Sequence, residues 1–154
     1  MGRRFRVAEE CWMAGLTDEQ VKREEAFMKG LPRVNVGALL MPPIWGPAHG
    51  FWVTILFYPA WLIADNVFYA AFAEPTPLAI IIAISTFIIL LGVTVAFSVV
   101  AQPLAAHRAQ DRGMSREAYL ARQRIWAVAS GVIGIVMIAL ATWYNIAWRP
   151  YVVS

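Results

Sequence analysis

Residues 78–101 read LAIIIAISTFIILLGVTVAFSVVA, 24 positions without a charge and with only Ser and Thr for polarity. As a helix this stretch extends about 36 Å, enough to cross the hydrocarbon core of a bilayer with some tilt. The uncharged region around it runs from Pro75 to His107, and a second uncharged run of 24 residues spans Ile125 to Trp148. A third lies between Val34 and Ala64, but Pro42, Pro43, Pro47 and Pro59 interrupt it. Proline cannot donate to the helix ladder and disfavours helix in the residue before it, so a break is expected over Met41–Gly46. The pattern predicts an all-α integral membrane protein with three spans, at about 47–72, 78–101 and 125–148. A Pro-rich interfacial elbow, 35–46, precedes the first span, and Pro59 is expected to kink it.

The whole chain agrees with that class. Of its 154 residues 60% are apolar and 15% charged, and mean hydropathy is +0.57. Soluble domains are nearer half apolar and a quarter charged, so a soluble domain, a disordered chain and a collagen-like chain are excluded. A single cysteine, Cys11, excludes an internal disulfide. Net charge is only +3, and its distribution follows topology, so nucleic acid is not an expected partner.

The basic residues orient the spans. Arg3, Arg4, Arg6, Lys22, Arg23, Lys29 and Arg33 precede the first, and Arg108, Arg112, Arg116, Arg122 and Arg124 fall in the 102–124 loop between the second and third. Only Arg149 follows. The positive-inside rule predicts a cytoplasmic N-terminal segment, 1–34, and an outer C-terminal tail, 149–154. Trp45, Trp52, Tyr119 and Trp126 are expected at the inner headgroups, and Phe68, Tyr69, Phe72, Trp143, Tyr144, Trp148 and Tyr151 at the outer ones. The basic loop is expected to attract anionic headgroups at Arg108, Arg112, Arg116, Arg122 and Arg124. Arg3, Arg4 and Arg6 lead into Glu9 and Glu10, not an apolar core, so no signal peptide is expected.

Two water-facing features have local signatures. Residues 17–30 read as a helix: Thr17 and Gln20 match a capping box, and Gly30 with Pro32 forms a stop. Asp18–Lys22, Glu19–Arg23 and Glu25–Lys29 are spaced as i,i+4 pairs, and the narrow stripe of Val21, Phe27, Met28 and Leu31 predicts docking on the bundle or on a partner. Ser115 is placed to cap a helix that runs unbroken into the third span, with Glu117 in its first turn.

The stretch Asn35-Val36-Gly37-Ala38-Leu39-Leu40-Met41-Pro42-Pro43-Ile44-Trp45-Gly46-Pro47-Ala48-His49-Gly50-Phe51-Trp52 resembles a motif of small bacterial membrane proteins of unknown function. Asn35, Gly37, Ala38, Pro43, Ile44, Trp45, Gly46 and His49 carry the resemblance; Val36 and Leu39 stand where that motif has aromatics, and Pro47 is additional. The resemblance implies a bacterial cytoplasmic (inner) membrane and an elbow built from Gly37, Pro42, Pro43, Trp45 and Gly46. It brings no activity with it.

Chemistry-bearing residues are few. His49, Asp65 and His107 are the functional candidates. Two histidines near one surface are what a bis-histidine haem needs, yet a hydrogen bond from His49 to a carbonyl freed by the prolines and solvation for His107 are the readier expectations. An intramembrane carboxylate is by default an ion or proton site. Asp65, however, lies near the outer interface, where a tie to Tyr144 or Asn145 suits it better. Ala127, Ser130, Gly131 and Gly134 form a small-residue strip on the third span, and Gly92 and Ala96 another on the second, both suited to close helix packing. No nucleotide, metal or nucleophile motif occurs, so neither catalysis nor a cofactor is expected. The expected function is a non-catalytic accessory, stabilising or regulatory subunit of a larger membrane complex. The alternatives are a homo-oligomeric channel or transporter and, behind it, a haem-binding redox subunit.

Overall fold

The computed structural model describes residues 18–153, and among them there are helices and no strand. In chain order they are α1 (Asp18–Met28), α2 (Val36–Leu40), α3 (Pro42–Ala48), a 3-10 turn (Trp52–Leu56), α4 (Phe57–Ala73), α5 (Pro77–Asp111), α6 (Arg116–Ala147) and α7 (Arg149–Val153). Three stretches are long and apolar enough to cross a membrane: Trp52–Ala73, Pro77–Asp111 and Arg116–Tyr151. The chain is therefore a multi-pass membrane protein.

The long helices overrun the hydrocarbon. At 1.5 Å per residue α5 is about 52 Å long and α6 about 48 Å, against a core of roughly 30 Å. Their overhanging ends, joined by the turn at Arg112–Ser115, carry the arginines. Residues 102–111 are thus helix, where a loop from 102 to 124 was expected. Pro103 does not end α5: it lies exposed within the helix, while Ala101, Ala105 and Ala109 bury an i,i+4 stripe on another face. Ser115 caps α6 through Ala118 N–H, as its position predicts, and Thr76 caps α5 through Ala79 N–H.

The buried core lies at this overhanging end. Ala38, Trp45, Ala101, Ala105, Ala106, Ala109 and Tyr119 form it, with Phe27, Leu31, Phe51, Phe97, Met114 and Trp126 packed around them. The alanines leave room for larger partners. Phe27 brings α1 against Tyr119, with ring centroids 5.7 Å apart. Glu24 pairs with His107 at 3.1 Å, and Arg116 donates to the Lys29 carbonyl at 2.7 Å, closing the C-terminal end of α1. Gly30 has the expected positive φ of 75°. The i,i+4 pairs are not among the ion pairs of the described residues; exposed pairs of that kind gain little over solvation. The Thr17 cap lies outside the described residues.

Prolines shape the segment before the first span differently from the expected turn. Pro42 and Pro43 occupy the first turn of α3, where a missing N–H has no helical acceptor to lose, so the break is confined to Met41 (φ −146°). The second break falls at His49–Phe51, so the first span starts at Trp52 and not at Pro47. Pro59 then sits in the first turn of α4 and does not interrupt it. The Thr54 hydroxyl donates to the Phe51 carbonyl at 2.7 Å.

Close approach, not backbone freedom, explains Gly46: a Cβ there would lie 1.9 Å from Thr54 Oγ1. Gly131 and Gly134 face Leu40 of α2, so the strip on α6 receives the short helix, whereas a Cβ on Gly92 would meet nothing within 4 Å. Gly46→Ala should destabilise the protein by about 1–3 kcal/mol through overpacking, and Gly92→Ala should not. Melting midpoints of the two variants in one detergent check this; equal midpoints would contradict it.

Candidate functional site

Asn35 opens the site. It is 2% exposed and spends every polar group it has. Its backbone N–H donates to the Ser98 carbonyl of α5, and its Oδ1 accepts from Ala38 N–H, capping α2. Its two amide protons go to Gln102 Oε1 on α5 at 2.7 Å and to Gln123 Oε1 on α6 at 2.9 Å. One side chain thereby joins the short helix to both long ones. In a low-dielectric interior such bonds are strong, and breaking one strands a desolvated partner.

Trp45 of α3 completes the node. Its indole is fully buried, stacks on His49 with centroids 4.0 Å apart, and aims Nε1 at Gln123 Oε1 at 3.4 Å. Gly37 makes room for it, since a Cβ there would lie 2.6 Å from Trp45 Cδ1. Trp45 and Tyr119, expected among the headgroups, are 0% and 1% exposed and belong to the core. Tyr119 hydroxyl donates to the Gln102 carbonyl at 3.4 Å.

His49 is held by both ring nitrogens. Nδ1 lies 2.8 Å from the Trp45 carbonyl and must carry the proton, which leaves Nε2 to accept from Gln123 Nε2 at 3.4 Å. The carbonyl it serves is one that its own backbone N–H also reaches, and not one freed by a proline. Burial pushes the imidazole below its ordinary value of 6.5, and Arg122 and Arg112 add to this against the pull of the Trp45 carbonyl.

Beside His49 a small cleft of about 20 Å³ is lined by Ala105, Arg108, Ala109, Arg112, Met114, Tyr119, Arg122 and Gln123. Arg108 is fixed there by two contacts: it donates to the His49 carbonyl at 2.8 Å and lies over the Phe51 ring at 4.0 Å.

The other candidates lie elsewhere. His107 is half exposed, between Glu24 and Asp111, with a separate set of partners from His49. Asp65 sits toward the opposite end, where it accepts from Asn145 Nδ2 at 2.6 Å and from Arg149 at 3.2 Å. Arg149 also donates to Asn66 and lies over the Tyr69 ring, so α4 and the end of α6 are clasped by a charged, hydrogen-bonded cluster. Gln102, Gln123 and Arg149 were not singled out in the sequence. The available signal was their rarity: Gln102 is the one amide in the uncharged run from Pro75 to His107. Among the described residues no group of three or more His, Cys, Asp or Glu side chains is placed to hold a metal.

Comparison with protein-family models, curated proteins and solved structures gives no match.

The buried imidazole has a thermodynamic consequence. A His with a lowered folded-state pKa stabilises fully above its unfolded value of 6.5, and that stability is lost as pH falls through the folded value. The melting midpoint in mild detergent should fall between about pH 7.5 and about pH 5, and His49→Gln should flatten that fall. A wild-type slope that survives the substitution would contradict the assignment.

Proposed function

We propose that this protein is a non-catalytic accessory subunit that stabilises or regulates a larger complex in a bacterial cytoplasmic membrane. In this reading α1 and the arginine-bearing ends of α5 and α6 face the cytoplasm, the C-terminal tail lies outside, and the α2–α3 elbow rests at the inner interface. The observation that carries it is how the polar groups of the spans are used. Asp65 is taken up by Asn145 and Arg149, while Thr94 and Ser98 donate to their own helix at Leu90 and Val95. In this reading Asp65 serves as a tie between helices, and the Thr94 and Ser98 hydroxyls serve their own helix backbone, not a path.

A second feature suits a protein neighbour. On α6 the consecutive residues Ile135, Val136, Met137 and Ile138 are 71, 50, 43 and 69% exposed. Successive helical residues are 100° apart, so among the described residues no helix covers any side of α6 at that level. The channel reading draws less support because Asp65 is already engaged. The haem reading draws less because His49 and His107 have separate partners.

Purification from the native membrane in mild detergent, with mass spectrometry of everything that co-elutes on size exclusion, tests the proposal. A larger membrane protein in fixed ratio is expected. A homogeneous oligomer of this chain alone would overturn the accessory reading in favour of the channel, for which Asp65→Asn would then have to abolish flux in vesicles.

A further inference from the structure

Five arginines follow His107 before the last span, and the fold divides them. Arg116 turns toward α1 and donates to the Lys29 carbonyl. Arg124 is exposed and stands outside the cleft. Arg108, Arg112 and Arg122 line the cleft beside His49, from the end of α5, the turn after it and the start of α6 respectively. Buried Ala105, Ala109, Tyr119 and His49 line its interior, and no carboxylate is among its lining residues. The ion pairs of the described residues are His107 with Glu24 and Asp111, and Arg149 with Asp65, so none neutralises these three.

Three arginines line this one small cavity, and like charges so placed repel one another unless an anion joins them. Besides burial, Arg122 and Arg112 stand near enough to His49 to help hold its imidazole below the ordinary value. Arg108 is preorganised: one N–H is used on the His49 carbonyl and its face rests on Phe51, which leaves the remaining donors of the fork available. Planar forks of this kind match the oxygens of a phosphate, which offers several acceptors and more than one negative oxygen. A cavity of about 20 Å³ admits one water-sized group, the size of a single oxygen of such an anion.

We propose that this cleft binds a phosphate group, either free in solution or carried by an anionic phospholipid headgroup. The site is independent of any protein partner. It also differs from general attraction between a basic loop and a charged surface, because it selects three arginines out of five.

The test uses delipidated full-length protein in mild detergent. One arm titrates inorganic phosphate against sodium chloride at matched ionic strength and follows the melting midpoint. The other supplies phosphatidylglycerol in nanodiscs or phosphatidylcholine alone, and counts retained lipid by native mass spectrometry. Binding in at least one arm is expected, weakened roughly tenfold or more by Arg122→Gln. Arg112→Gln, at an exposed position, should act likewise and serves if Arg122→Gln fails to fold. Arg124→Gln removes the same charge outside the cleft and should leave binding unchanged. Binding of inorganic phosphate identifies the free anion, and binding of phosphatidylglycerol alone identifies the headgroup. Equal weakening by all three variants, indifference to all three, or binding in neither arm would overturn the proposal.

Discussion

A buried amide, Asn35, ties the short helix α2 to both long helices at one end of the bundle. Asn35 donates to Gln102 and Gln123 at once, while its carbonyl oxygen starts α2. Within a bilayer, apolar side chains gain little by leaving lipid for one another, so burial alone does not fix which helix lies beside which. Directional bonds do. Asn35 supplies them at one end of the bundle, and Asp65 with Asn145 and Arg149 supplies a second clasp toward the other. Between the two ties α6 is exposed on all sides around Ile135–Ile138 among the described residues.

The node also explains why α2 and α3 are so compact. Gly37 admits the Trp45 indole, Gly46 admits Thr54, and Met41 alone absorbs the backbone break between two helices of five and seven residues. His49, stacked on Trp45 and bonded to its carbonyl, then stands at the junction of the node and the arginine cleft. The residues of the Asn35–His49 motif therefore form one packed unit, with roles that are structural at Asn35 and Trp45 and adjacent to a binding surface at His49.

Much of this was legible in the sequence. Three uncharged runs announce three spans because a bilayer demands length and apolarity, and Ser115 and Gly30 announce helix ends because orphan backbone groups need partners. Other features were not legible. Proline reads as a breaker, yet at the first turn of a helix its missing N–H costs nothing, so α3 and the start of α4 looked like interruptions. Trp45 and Tyr119 looked like interfacial aromatics because sequence reports depth along a helix but not which side faces a neighbour. The meeting of Asn35, Gln102 and Gln123 joins positions 67 and 88 residues apart, and no local pattern encodes it.

The most direct test is a double-mutant cycle on that contact, using Asn35→Ala, Gln102→Ala and the double variant, each melted in the same detergent. If the amide bond joins α2 to α5 as described, the two losses should fall short of adding, with a coupling of about 0.5–3 kcal/mol. Strict additivity would mean that the two side chains act independently and that something else sets the helix arrangement.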